Sequence, residues 1–278
     1  MLGIASIGAG TPGARQRYFG PGERRSFDSR PFPAKAERMN RSVLWNIFLR
    51  SLTIQASFTF TRMQALGFAF ALVPLTRRIG DPCGIAESLK RNLRVFNTHP
   101  YLSAPVIGAV ARIEEEGDAA AAEHLKKAVM GPYAAIGDPF FWGALRPFSA
   151  AVAVTLALQG FLVAPLAFLV LYDPAHAWIR GKGFFAGYRL GTRSIEFIRG
   201  ADLPAIAGRI RYASLVVIGV LAAVAAEAGS DSWGFLAEIP GKATALVLVV
   251  LCGMGIRRGI SQVTVLYGAA LLCVALSI

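Results

Sequence analysis

Apolar positions along this chain fall into two regimes. Before about residue 147 they come in short groups divided by charge, and from 148 onward they form long runs. Val43, Leu44, Ile47, Phe48 and Leu52 recur at helical spacing, with Arg41 and Arg50 at the margins. That period predicts an amphipathic helix, suited to a membrane surface or to packing on its own protein. Residues 63–75, MQALGFAFALVPL, are ended by Pro74 and Arg77-Arg78. At about 1.5 Å per residue the stretch is too short for a hydrocarbon core of roughly 30 Å. It predicts a buried or re-entrant helix. Residues 85–96 and 119–130 read as further helices, with Glu114-Glu115-Glu116-Gly117-Asp118 as a break between helices.

Residues 148–172, FSAAVAVTLALQGFLVAPLAFLVLY, carry no charge. The run is long enough to span a bilayer with some tilt. Gly160 and Pro165 are tolerable inside such a span, because neighbouring helices can satisfy freed backbone groups. Residues 173–212 return to polar character and read as a basic loop. It carries Arg180, Lys182, Arg189, Arg193, Arg199, Arg209 and Arg211. Apolar runs follow at 213–226, 243–256 and 259–278. The first two are short for independent spans and suit re-entrant hairpins or helices covered by partner protein. Gly253, Gly255 and Arg257-Arg258-Gly259 fit a helical hairpin. No strand alternation appears, which argues against an outer-membrane barrel. The expected fold is all-α: a polytopic helical integral membrane protein with amphipathic and re-entrant helices, divided into 39–147 and 148–278. Residues 1–38, rich in Gly, Pro and Arg, show no amphipathic period and read as a disordered extension. Met39 opens a credible start, so an over-extended reading frame and an ordinary tail both remain open.

Composition supports the membrane reading. Of the 278 residues, 54% are hydrophobic and 17% charged, respectively above and below the usual shares for a soluble domain. The net charge of +12 would also fit nucleic-acid binding. That function calls for a basic face with stacking aromatics or a reading motif, and neither is present. The basic residues flank the apolar runs instead, as membrane orientation favours. Cys83, Cys252 and Cys273 show no metal or redox spacing, and His99, His124 and His176 are too scattered for a local metal motif.

Three motifs carry more information: SFTFTRMQALGF at 57–68, LKRNLRVFNTHPYLSAPVIGAVARIEEE at 89–116, and MGPYAAIGDPFFWGALRP at 130–147. In order and spacing they resemble the signature blocks of the IID component of the mannose/fructose/sorbose phosphotransferase family. The resemblance extends through GYRLG at 187–191 and covers roughly 39–278. It implies a bacterial inner-membrane transport subunit that translocates a mannose-type hexose with a IIC subunit. Soluble IIA and IIB proteins relay the phosphoryl group, and IIB phosphorylates the sugar. It implies no phosphorylated residue on this chain; no cofactor is expected, and the Cys and His spacing supports no metal. The sequence holds no P-loop or nucleophile motif. Asn92, Arg94 and Val95 stand where the family block usually has a His, an acidic residue and an aromatic. Ala135, Pro139, Phe58, Thr59 and Thr61 are further departures.

A sugar site needs groups that pair hydroxyls and an aromatic face beneath the ring. Asn97, Thr98, His99, Glu114, Glu115, Asp138, Trp142 and Arg146 supply such a set from two apparent breaks between apolar helices. Each has a structural alternative. Asn97 to His99 before Pro100 can be a helix stop. Gly137-Asp138-Pro139 is turn chemistry, with Asp138 as a helix cap. Trp142 can anchor at a membrane interface, and the acidic run can be a solvated turn. Two rival functions stand beside the permease: a regulatory or transport-inactive IID relative, suggested by the altered motifs, and a membrane enzyme using Asp138 and His99. No nucleophile–base pattern supports the enzyme.

The seven basic residues of 173–212 place that segment on the cytoplasmic side. An Arg193→Cys variant in a cysteine-free background should therefore resist an impermeant thiol reagent applied outside intact cells. Strong external labelling would reverse the orientation.

Overall fold

The computed structural model describes residues 38–228 and parts of 247–271. The expectations for 1–37 and for most of 229–278 lie outside the described residues. Among those described the regular elements are helices: α1 (Arg41–Ser51), α2 (Ala65–Thr76), α3 (Pro82–Asn92), α4 (Ser103–Glu115) and α5 (Ala119–Gly137). A π-type segment (Asp138–Leu145) leads into α6 (Arg146–Leu158), followed by α7 (Ala164–Leu190), α8 (Ile195–Gly200) and α9 (Leu203–Ala228). The protein is an all-helical membrane protein. Two helical stretches, Ala119–Leu158 and Ala164–Ala222, hold segments long and apolar enough to cross a bilayer. Only 11% of the second segment is buried, so its apolar surface is open, unlike the core helix of a soluble domain.

Local chemistry explains several boundaries. Asp81 caps α3 by accepting from the Gly84 N–H at 2.8 Å, with Pro82 at the first turn. Asp118 caps α5 through the Ala121 N–H at 2.8 Å. The break between α4 and α5 falls where the acidic run predicts, at Gly117, whose φ is 88°. Far along the chain, Gly259 takes a φ of 91°, and the Ile260 N–H closes onto the Gly255 carbonyl at 3.1 Å. That turn is what the Arg257-Arg258-Gly259 sequence suggests.

Residues 148–172 do not form one span. Gly160 adopts a φ of 81°, and its N–H and that of Phe161 fold back on the Ala157 and Leu156 carbonyls. Pro165 then sits in the first turn of α7, where its missing N–H costs nothing. The run is therefore a helical hairpin of α6 and α7. The 13 residues of α6 continue the helix that runs from Ala119, and that whole stretch is long enough to cross the bilayer core. Residues 173–212 are likewise no loop. They continue α7, pass through a 3₁₀ turn and α8, and enter α9. The motif 137–139 is not a break either, because the chain stays helical from Ala119 to Leu158.

α4, which the apolar pattern does not single out, is the centre of the fold. All its residues but Arg112 are buried. Its backbone lies directly on α7. A Cβ on Gly108 would run into the Phe184 carbonyl, and one on Gly187 into the Pro105 carbonyl. Gly183 faces the Pro105 ring in the same crossing. α1 closes the other side with Trp45 and Phe48 against Phe184 and Phe185. α2 packs on the turn after α1 through Gly67, which has no room for a side chain over the Ile54 backbone.

Gly187→Ala and Gly108→Ala should each destabilise the protein by about 1–3 kcal/mol or more, as overpacking of a close crossing does. Gly208→Ala, with nothing within 4 Å of the added methyl, should leave stability unchanged or slightly raised. Melting temperatures of the three purified variants in one detergent test the contrast.

Candidate functional site

The segment FNTHP crosses between α3 and α4 in extended form, and three anchors hold it. The Lys126 ammonium, buried on α5, donates to the Asn92 and Arg94 carbonyls at 2.9 and 3.1 Å. It thereby satisfies chain-end carbonyls that α3 leaves open. It also lies 4.5 Å from the Phe68 ring centre. Phe96 packs against Phe68 at 4.5 Å between ring centres. Gln64 then serves Thr98 as a strand partner would: its side-chain amide donates to the Thr98 carbonyl at 2.7 Å, and its oxygen accepts the Thr98 N–H at 3.2 Å. The Gln64 N–H donates to the Phe96 carbonyl at 2.9 Å.

These anchors deliver His99 into a buried position. Its Nδ1 lies 2.8 Å from Asp138 Oδ1. A carboxylate there makes Nδ1 the donor. Burial lowers the His99 pKa below the ordinary imidazole value, and the bond to Asp138 opposes that shift. His99 Nε2 is then an acceptor, and it has no partner among the described residues. Gly137 allows the approach, since a Cβ there would collide with the His99 side chain. The π-type winding from Asp138 aims Phe141 flat against the imidazole, 4.8 Å away and 6° from parallel, and brings Trp142 edge-on at 4.8 Å. Pro139, which lacks an N–H, sits where the i−4 ladder gives way to this wider winding. Asp138 is thus a side-chain partner of His99 inside a continuous helix.

Beside this pair lies a cavity of about 350 Å³. Pro100, Tyr101, Trp142, Arg146 and Tyr172 are among the residues lining it, with Gln55 from the turn after α1. The Tyr101 and Tyr172 hydroxyls meet at 3.1 Å. Tyr101 also stacks on His176 at 4.7 Å and carries the Arg180 guanidinium at 4.8 Å from its ring centre.

Of the eight residues the sequence nominates, the structure gathers His99, Asp138, Trp142 and Arg146 about this cavity. Thr98 is adjacent but held by Gln64, and Asn97 is exposed. Glu114 and Glu115 lie at the far end of α4, a 13-residue helix about 20 Å long. They are buried, contrary to a solvated turn. Glu114 Oε1 accepts from Asn92 at 3.1 Å and from Arg91 at 3.2 Å. Burial raises its pKa, and Arg91 is the main opposing influence. Glu115 accepts from the Tyr188 hydroxyl at 2.6 Å, from Arg112 and from the Met39 N–H. Sequence reasoning misses Gln55, Gln64, Tyr101 and Tyr172. Gln64 and Tyr101 do sit inside the quoted motifs, and Tyr172 ends the uncharged run.

Comparison with known proteins decides the family. The profile described as PTS system mannose/fructose/sorbose family IID component matches residues 38–278. The chain belongs to the IID components of this phosphotransferase family. It is similar to the mannose-specific EIID component of Escherichia coli K12, at 35% identity over 66% of this chain and 68% of the relative. It is also similar to the fructose permease IID component of Bacillus subtilis, at 34% identity over 67% and 70% of the two chains. Among solved structures it resembles a chain of the mannose transporter ManYZ in complex with microcin E492, with a TM-score of 0.54, 27% identity, and 86% and 97% of the two chains covered. A second structure, described as a membrane protein, gives a TM-score of 0.65 at 27% identity over the same shares. The protein is therefore a transport subunit of a sugar phosphotransferase permease. Two departures of this IID component from the family blocks have structural partners: Arg94 pairs with Glu123, and Asn92 with Glu114.

Asp138→Ala should lower stability by about 1–3 kcal/mol, because it leaves the buried His99 donor unpaired. Asp138→Asn keeps an acceptor oxygen and should retain most of the wild-type stability. Thermal melts of both variants in detergent provide the measurement. Equal losses would mean that the charge, and not the acceptor, holds His99.

Proposed function

We propose that this IID component works with a IIC membrane subunit to carry a mannose-type hexose across a bacterial inner membrane. A IIB protein, recharged by IIA, then phosphorylates the sugar on the cytoplasmic side. The observation that carries this reading is the family match together with a large apolar surface that the described residues leave open. Tyr212, Leu215 and Val216 on α9 are 76%, 67% and 69% exposed, and Leu162 at the α6–α7 tip is 97% exposed. Patches of that kind mark membrane or protein contact. The names of the relatives, covering mannose, fructose and sorbose, support a single hexose as substrate. Two of the altered block residues, Asn92 and Arg94, sit in the Glu114 and Glu123 networks.

Expressed alone, the chain should aggregate or be degraded, and coexpression with its IIC should yield a stable complex that restores hexose uptake in a strain lacking mannose-family permeases. A monodisperse protein without IIC, whose stability IIC leaves unchanged, would overturn the partnership. A stable complex that moves no hexose would overturn the transport reading.

A further inference from the structure

We infer that the outer face of α1, α2 and the turn between them binds anionic phospholipid, with Arg41, Arg50 and Arg62 meeting the headgroups and Trp45 and Phe60 entering the bilayer. The charge pattern comes first. Every charged residue from 38 to 80 is an arginine, and no acidic residue stands among them. The carboxylate that meets the start of α1 does not offset this charge at the surface. Glu115 lies buried beneath the Met39 N–H and is bonded to the Tyr188 hydroxyl and Arg112. An apolar face whose only charges are positive fits an anionic lipid surface. A protein partner would need an acidic face to cover it.

The geometry gathers these groups on one side. Trp45 and Leu49 lie one turn apart on α1 and are exposed, and Leu66 and Phe70 repeat that spacing on α2. The Arg50 guanidinium lies 4.6 Å from the Phe70 ring centre, which joins the two stripes into one face. Its Nε donates to Asn46 at 2.7 Å, so the head group is held in place. The connecting turn is equally fixed. Thr59 and Met63 exchange both backbone hydrogen bonds, at 3.1 and 2.7 Å, and the Thr59 hydroxyl accepts the Arg62 N–H at 3.3 Å. These bonds hold Phe60, 91% exposed, two residues from an exposed Arg62. A ring among acyl chains beside a guanidinium at the phosphates is the pairing a membrane interface accommodates. Arginine suits the phosphate, because its planar fork engages two oxygens at once. The side of the membrane agrees as well. Trp45 and Phe48 pack on Phe184 and Phe185 toward the C-terminal end of α7, from which the basic segment continues through Arg189 and Arg193. Basic residues are retained on the cytoplasmic side, where anionic lipid attracts them.

The test uses the full chain with its IIC, purified in a neutral detergent and titrated with phosphatidylglycerol or phosphatidylcholine of equal chain length. Lipid retained per complex and melting temperature are read together. Phosphatidylglycerol should bind about a hundredfold more tightly, the weight of three basic residues near an anionic surface, and the preference should shrink as salt is raised. Arg41→Gln combined with Arg62→Gln should remove roughly thirtyfold of that preference and leave phosphatidylcholine binding unchanged. The corresponding pair of lysine substitutions should keep most of it. Equal affinity for the two lipids in the wild type, or a preference that the glutamine pair leaves intact, would overturn the surface. Competition by inorganic phosphate at constant ionic strength would also overturn it, by showing a phosphate site that needs no lipid. Loss of IIC from a Phe60→Ser complex would do the same, by placing this face in the partner's interface. Should the glutamine pair fail to fold, the wild-type complex supplies a second reading. Brominated phosphatidylglycerol should quench tryptophan fluorescence more than brominated phosphatidylcholine, and Trp45→Phe should remove the excess. An excess that is absent, or that survives Trp45→Phe, counts against the surface.

Discussion

The backbone-to-backbone crossing of α4 and α7 is the constraint on which the rest depends. Gly108 on α4 and Gly187 on α7 remove the side chains that would hold the helices apart, and Gly183 gives the Pro105 ring its place. Small residues serve this purpose in membrane proteins, where apolar surface alone gives helices little reason to prefer one another over lipid. The crossing brings Tyr101, just before α4, within hydrogen-bond distance of Tyr172 on α7. The cavity is a product of that contact: separate the helices by a methyl group at Gly187 and its two tyrosine walls move apart.

A second requirement is that buried polarity be paired. Three carboxylates meet it in different ways. Glu114 ties the end of α4 to α3 through Asn92 and Arg91, and Glu115 ties it to α7 through Tyr188. Asp138 reaches across to the segment before α4 through His99. Buried Glu114 and Glu115 would be costly without such partners, and so would the buried His99 imidazole that half-exposed Asp138 serves. Together the three contacts brace both ends of the central helix, and only the Asp138 end opens on the cavity. That division separates residues that look alike in the sequence: acidic groups in adjacent motifs share chemistry but not location.

The outer surface answers to the bilayer. α9 and the tip of the α6–α7 hairpin turn large apolar side chains outward, which a soluble domain would fold inward. The hairpin is also the point where the structure departs most from a simple hydropathy reading. Absence of charge over 148–172 reports the solvent, lipid or protein, and says nothing about whether the helix is continuous. Gly160 alone decides that, by taking a left-handed φ that other residues resist.

By itself the sequence determined the fold class, the membrane environment and the family. These follow from apolar run length, from charge placement and from ordered motifs, all of which are local along the chain. It also placed a helix break within Glu114–Asp118, where the turn falls at Gly117, because such turns depend on nearest neighbours. It nominated His99, Asp138, Trp142 and Arg146, since their motifs carry unusual polarity between apolar helices. What it did not determine was which polar residues meet. Glu114 and Glu115 belong to bracing networks because α4 carries them about 20 Å from His99, a separation invisible in a motif list. Gln55, Gln64, Tyr101 and Tyr172 became visible only once α1, α2 and α7 had been packed around α4, because contacts between residues far apart in sequence exist only after the chain has folded.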